Sequence, residues 1–179
     1  MGNRLSKIAT RTGDAGMTGL GDGSRVEKDH LRICAMGDVD ELNSEIGVLM
    51  TEEMPESIAA ELKELFLQVQ HDLFDLGADL AGSKTIKITK DYIDRLELWI
   101  DGTNGLLQPL ESFVLPTGPI HFARTIVRRA ELKVWWATGY EDINELIPQY
   151  LNRLSDLLFV MARYHNKGNE AIWVPRNEE

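Results

Sequence analysis

Five stretches in which apolar residues recur every three or four positions succeed one another along the chain, and they confine it to an all-α fold. Val39, Leu42, Ile46 and Leu49 form the first stripe. Ile58, Leu62, Leu65, Phe66, Val69, Leu73, Leu76 and Leu80 form the second, with Pro55 at its opening turn, where a missing N–H is tolerated. The third runs through Ile93, Leu96 and Ile100, with Thr89 as its candidate cap and Gly102 beyond its end. Ala123, Val127, Ala130, Val134 and Ala137 make the fourth, which Gly139 stops. Ile147, Leu151, Leu154, Leu158 and Met161 make the fifth, reaching to about Asn166. Such stripes predict an antiparallel five-helix bundle. A loop with Gly105, Pro109, Pro116 and Pro119 joins the third helix to the fourth, and A-I-W-V-P at 171–175 is a candidate extended segment. With no repeat or low-complexity stretch, residues 1–179 read as one domain.

Ahead of the helices lies a segment of another kind, T-R-T-G-D-A-G-M-T-G-L-G-D-G-S from Thr10 to Ser24. Gly13, Gly16, Gly19, Gly21 and Gly23 are interleaved with Thr10, Thr12, Thr18 and Ser24, and Lys7, Arg11, Arg25 and Lys28 bracket them. Successive backbone amides in a glycine-rich loop form an anion-binding nest, to which hydroxyls add donors, so a phosphate chain is its natural guest. The plainer alternative is a flexible N-terminal arm. Neither common phosphate loop is present: G-x-x-x-x-G-K-[ST] is absent, and no strand-like run leads into a G-x-G-x-x-G turn.

Charge narrows the partners. The net charge is −10, yet residues 1–32 hold six Lys/Arg against four Asp/Glu. An acidic protein with a basic glycine-rich arm suits a small polyanion and argues against nucleic acid. The longest unbroken apolar run, Leu157 to Ala162, is far short of a membrane span. No secretory signal is recognisable, and the lone Cys34 fits a reducing compartment, so a cytoplasmic protein is expected.

Polar rows border the apolar stripes. Arg124, Arg128 and Glu131 fall at i, i+4 and i+7 on the fourth helix, flanked by Arg129. Asp40, Asn43, Ser44 and Gly47 border the first stripe; Asn152, Ser155 and Asp156 border the fifth. Half-buried rows of this kind are either ion-pair networks between helices or, through arginine's bidentate fork, phosphate sites. His71, Asp72, Asp75 and Asp79 on the second helix read as a solvated face rather than a metal site. A di-iron bundle needs two E-x-x-H motifs on inner helices, and the one present, Glu27 to His30, lies on the arm. Trp135, Trp136 and Tyr140 are either core or subunit contact.

Taken together, five segments resemble the PduO-type ATP:cob(I)alamin adenosyltransferases. They are T-R-T-G-D-A-G-M-T-G with Lys28 beyond it, V-D-E-L-N-S at 39–44, S-F-V-L-P at 112–116, H-F-A-R-T-I-V-R-R-A-E at 121–131 and Y-L-N-R-L-S-D-L-L-F at 150–159. The resemblance implies a homotrimer of ferritin-like five-helix bundles with sites between subunits. It implies that cob(I)alamin attacks the 5′ carbon of ATP, giving adenosylcobalamin and triphosphate, with Mg²⁺ carried on the phosphates. Thr10, Arg11, Thr12, Gly13, Thr18, Gly19 and Lys28 match the triphosphate-holding positions, and Arg128, Arg129, Glu131 and Asn152 complete the nucleotide site. Asp40 and Arg124 match a salt bridge across the subunit interface; Phe113 matches the residue beneath the corrin, and His121 falls on the corrin side. A reductase supplying cob(I)alamin and an adenosylcobalamin-dependent acceptor enzyme are the implied protein partners. The chain departs from the family pattern in a shorter Pro116–Arg124 segment and in Leu132, where arginine is usual. The shorter segment leaves one rival open, an ATP-binding regulatory or scaffold homotrimer without corrinoid adenosylation.

Overall fold

The computed structural model describes residues 9–52 and 59–175. Two short strands, β1 (Met17–Gly19) and β2 (Arg25–Glu27), precede five helices: α1 (Leu31–Leu49), α2 (Ala59–Leu80), α3 (Lys90–Asn104), α4 (Gly118–Thr138) and α5 (Leu146–His165). The expected apolar stripes are the buried faces: Leu42, Ile46, Phe66, Leu73, Leu96, Val127, Leu151 and Leu154 lie in a core shared by all five helices. Lys7, placed beside the glycine-rich arm from sequence, and Pro55 and Ile58, placed in the second helix, lie outside the described residues.

α4 packs between α1 and α5, with α2 on the other side of α1 and α3 against α5. Polar pairs fix the directions. Arg32 meets Glu141, Lys133 meets Asp38 and Arg129 meets Glu41, so α1 and α4 are antiparallel. Pro119 sits in the first turn of α4, and Gly139 caps the other end. α3 ends later than its sequence indicates. Gly102 is inside the helix, and Gly105 follows its last residue. A glycine interrupts a stripe without breaking a helix when its neighbours keep their backbone bonds, and Gly105 still donates to Asp101.

The second-helix acids are not a solvated face. Only His71 of the four is exposed. Asp72 is 1% exposed and accepts bonds from Tyr150 Oη (2.9 Å), Arg95 Nη2 (2.5 Å) and Gln68 Nε2 (3.0 Å). Asp75 accepts from Tyr92 Oη at 2.8 Å, and this bond, with burial, pushes the pKa of the Tyr92 phenol up to about 12. Asp79 accepts the amides of Lys87 and Ile88, fixing the approach to α3. Burial and the Asp72 carboxylate likewise hold Tyr150 well above the ordinary phenol range.

The glycine-rich segment folds as a hairpin. Met17 pairs with Glu27, Thr18 with Val26 and Gly19 with Arg25. Gly21 docks the turn on the end of α2: its amide donates to the Ala81 carbonyl at 2.6 Å, and a Cβ there would stand 2.9 Å from that oxygen. The A-I-W-V-P segment is extended, with Ile172 bridged antiparallel to Val114.

Candidate active site

The polar rows of α4 and α5 face one another across their antiparallel seam. Asn152 Nδ2 donates to Glu131 Oε1 at 3.3 Å, and Arg153 Nη1 donates to Asn152 Oδ1 at 2.8 Å. Towards the start of α4, the Arg124 guanidinium lies 5.4 Å from the Phe159 ring centroid, and His121 packs edge-on against the same ring at 5.8 Å. Burial, with Arg128's like charge adding to it, lowers the Arg124 pKa, while Asp156 opposes them. Arg128 itself is exposed, and among the described residues it makes no hydrogen bond or ion pair. The seam therefore presents one uncommitted guanidinium beside a second that burial makes costly to leave unpaired. An oxyanion laid along it would relieve both.

Arg129 is committed elsewhere. It pairs with Glu41 and lies 3.7 Å from Asp38, and the bond to Glu41 raises its pKa. Lys133 also reaches Asp38, at 3.2 Å. These contacts tie α4 to α1, so of the two adjacent arginines one is a strut and the other has no partner among the described residues. Asp38, 9% exposed, and Lys133 are not among the residues that the sequence singles out. The signal available was their place one residue from Val39 and Val134, on the edge of each stripe.

Asp40 is exposed, and among the described residues it forms no ion pair with Arg124. Glu41 stands level with Arg129, so Asp40 and Arg124 lie about 9 Å apart along the helix axes. Asn43, expected in the same polar row, is turned inward and donates to the Gln70 carbonyl.

Gly13 and Gly16 of the arm lie against Lys28. A Cβ on Gly13 would lie 3.1 Å from Lys28 Nζ, and the Lys28 amide donates to the Gly16 carbonyl at 2.9 Å. The Thr10 and Thr12 hydroxyls lie 3.0 Å apart, and Arg25 Nη2 donates to the Thr12 and Met17 carbonyls. Arg11 takes the left-handed conformation (φ 59). Such a turn points successive amides to one side, the geometry of an anion nest. Thr18 and Gly19 lie in β1, behind this loop. Lys28, Arg11 and the two threonines are exposed donors on the segment just ahead of α1.

Phe113 lies at the opposite end of the bundle. It is 77% exposed and stacks edge-on against Trp173 at 6.2 Å. α4 begins at Gly118, two residues after Pro116. His121, in the first turn of α4, is 2% exposed, and neither ring nitrogen has a hydrogen-bond partner among the described residues. It meets Phe159 rather than solvent. The arm sits by the start of α1, and through Arg32–Glu141 that end is the far end of α4. The arm and Phe113 are thus separated by the length of α4, on the order of 30 Å.

No three His, Cys, Asp or Glu side chains come together as a metal site among the described residues. No helix there is long and apolar enough to cross a membrane.

The profile of the family described as cobalamin adenosyltransferase matches residues 8–165. A cobalamin adenosyltransferase from Cupriavidus metallidurans is 50% identical over 99% of this chain and 100% of its own length. A corrinoid adenosyltransferase from Mycobacterium leprae is 44% identical over 98% and 99%. Among solved structures, a variant PduO-type ATP:corrinoid adenosyltransferase from Lactobacillus reuteri, complexed with cobalamin and ATP, superposes with a TM-score of 0.84 at 33% identity, covering 96% of this chain and 100% of that one.

Proposed function

The chain belongs to the cobalamin adenosyltransferase family, and from that we propose that it transfers the 5′-deoxyadenosyl group of ATP to the cobalt of cob(I)alamin. Cobalt(I) donates an electron pair to C5′, forming the Co–C bond and becoming formally cobalt(III). The C5′–O bond breaks, and its electron pair leaves on triphosphate. The nucleophile needs no general base. What the protein must supply is alignment of C5′ with the cobalt and cationic donors for the charge growing on the leaving oxygen.

Arg128 is the observation that carries this reading: an exposed guanidinium without a partner among the described residues, next to the half-buried Arg124, on the edge of a polar seam. In this reading Arg128 holds the leaving phosphate, Glu131 and Asn152 hold the nucleoside, and Arg129 acts as the strut to α1. Thr10, Arg11, Thr12, Gly13 and Lys28 hold the rest of the triphosphate, with Thr18 and Gly19 setting the hairpin behind them. Phe113 faces the corrin from below and excludes a lower axial ligand, which makes cobalt(II) easier to reduce to the nucleophilic state. His121 forms part of the floor beneath Arg124. The described residues offer no carboxylate cage, so Mg²⁺ arrives on the phosphate oxygens, where it neutralises leaving-group charge.

The site is completed between copies of the chain, which we take to be three. The support is the separation of the arm from Phe113, far beyond bonding reach within one chain. Asp40 and Arg124, apart within the chain, are then free to pair across the interface. Leu132, Trp135, Trp136 and Tyr140, exposed on and just beyond α4, supply an apolar surface for it, which favours the contact reading of those aromatics over the core reading. A reductase that supplies cob(I)alamin and an enzyme that accepts the product are the protein partners of this reading.

The test is anaerobic. The protein is mixed with chemically reduced cob(I)alamin and Mg-ATP, and light-sensitive adenosylcobalamin is followed by absorbance. Product that needs both ATP and protein supports the transferase. ATP binding by calorimetry with no product overturns it.

A further inference from the structure

Phe113 stands on a two-segment ribbon. The Trp173 amide donates to the Phe113 carbonyl at 2.8 Å, the Leu115 amide to the Ala171 carbonyl at 2.8 Å, and Ser112 Oγ to the Trp173 carbonyl at 3.2 Å. Alternation along the ribbon turns Phe113 outward and Ser112 inward. The inward side does not rest on packed core. Ser112 and Ile172 line a cavity of about 820 Å³, walled further by Leu106, Leu110 and Arg163. A two-stranded ribbon without an apolar face beneath it is marginal by itself. Something else must fix its position.

Arg163 does so. It lies in the last turn of α5 and is 5% exposed. Its Nε donates to Glu170 Oε1 at 3.0 Å and its Nη2 to the Gln108 carbonyl at 2.8 Å. Glu170 immediately precedes the extended segment that carries Trp173, and Gln108 lies five residues before Phe113. The chain turns back after α5 through Lys167 and Gly168, both left-handed (φ 54 and 72), which brings Glu170 onto Arg163. One buried guanidinium thus grips both segments and references them to α5, the helix that also carries Asn152 and Phe159. The Glu170 side chain is 3% exposed, so neither partner can leave without stranding a buried charge.

We propose that Arg163, through Glu170 and the Gln108 carbonyl, is a positioning residue that sets the height and orientation of Phe113 at the corrin's lower face. The inference rests on the Phe113 reading above. It predicts that loosening the clamp lets a lower axial ligand return to cobalt while the nucleotide half of the site is untouched.

The test compares the intact protein, Phe113→Ala, Glu170→Gln, Arg163→Lys and the double variant Arg163→Met/Glu170→Met. The double variant removes both charges together and so avoids a stranded one, and Glu170→Gln keeps the shape should the double variant fail to fold. Each is loaded with ATP and cob(II)alamin, and electron paramagnetic resonance reads the splitting from an axial nitrogen donor. Glu170→Gln and the double variant are expected to regain that splitting, and so is Phe113→Ala. Their turnover should fall between about 10- and 100-fold, the scale of a displacement near 1 Å. Their ATP affinity should stay within about twofold, and Arg163→Lys should recover part of the loss. A wild-type spectrum in Glu170→Gln or the double variant, with Phe113→Ala altered, overturns the clamp alone. An unaltered spectrum in Phe113→Ala removes the Phe113 reading and the clamp with it. Loss of ATP affinity in parallel with the spectral change would make Arg163 a general support of the fold, which also overturns the proposal.

Discussion

Two adjacent arginines with the same side chain have opposite duties because their surroundings differ. Arg129 is paired with Glu41 and Asp38, whereas Arg128 faces solvent with no partner among the described residues. A lost charged hydrogen bond costs about 1.5–3 kcal/mol. Arg128→Ala should therefore slow adenosylation roughly 10- to 150-fold with Tm nearly unchanged. Arg129→Ala should lower Tm, because it weakens the pairing of Asp38 and loosens α1 on α4. Near-normal turnover in Arg128→Ala would remove it from the reaction. His121 makes a second prediction at this scale. Burial, then the nearby Arg124 charge, lowers its pKa. The folded state thus favours neutral imidazole, and the unfolded chain takes up the proton first as pH falls. Stability from this source is complete above about pH 6.5 and is lost progressively below it. Tm measured from about pH 7.5 to pH 5 should fall less steeply in His121→Phe than in the parent. Equal slopes would mean His121 does not carry the dependence.

Among the elements, α2 is held by polar contacts as well as by its stripe. Asp72→Ala leaves the fully buried Tyr150 hydroxyl and Arg95 without their acceptor. Removing one partner of a buried pair costs about 3–5 kcal/mol, so Tm should drop by roughly 10 °C in calorimetry. A change of only a degree or two would count against the network. The same helix shows where sequence reading succeeds and where it stops. Its apolar stripe, Leu62, Leu65, Phe66, Val69, Leu73 and Leu76, is legible because helical periodicity is local. Asp72 defeats such a reading because its burial depends on Tyr150 and Arg95, distant in sequence. The rows of α4 and α5 are legible for a related reason: antiparallel neighbours joined by a short loop meet in nearly mirror order, so Glu131 finds Asn152. The hairpin strands are not, since three residues without clear alternation carry little pattern. Resemblance to a family, rather than periodicity, singles out Phe113, because an exposed aromatic in a loop has no pattern to betray it.

At the scale of the whole molecule, the arm and Phe113 occupy opposite ends of one bundle. A site built between chains predicts that activity follows assembly. On a sizing column the protein should run at about three times its 20.2 kDa chain. Specific activity should fall on dilution below the assembly's dissociation range. A monomer with full activity would place the whole site within one chain. Against a net charge of −10, the six Lys/Arg and four Asp/Glu of residues 1–32 also favour a polyanion at the N-terminal segment.

The same separation has a genetic consequence. A chain with a ruined arm, Lys28→Ala, still carries an intact Phe113, and a chain bearing Phe113→Ala still carries an intact arm. Each variant alone should be defective, yet co-expression should restore activity, because roughly a quarter of the interfaces in a random mixture join two intact halves. Two recessive alleles of this kind would complement each other, and alleles striking the same half would not.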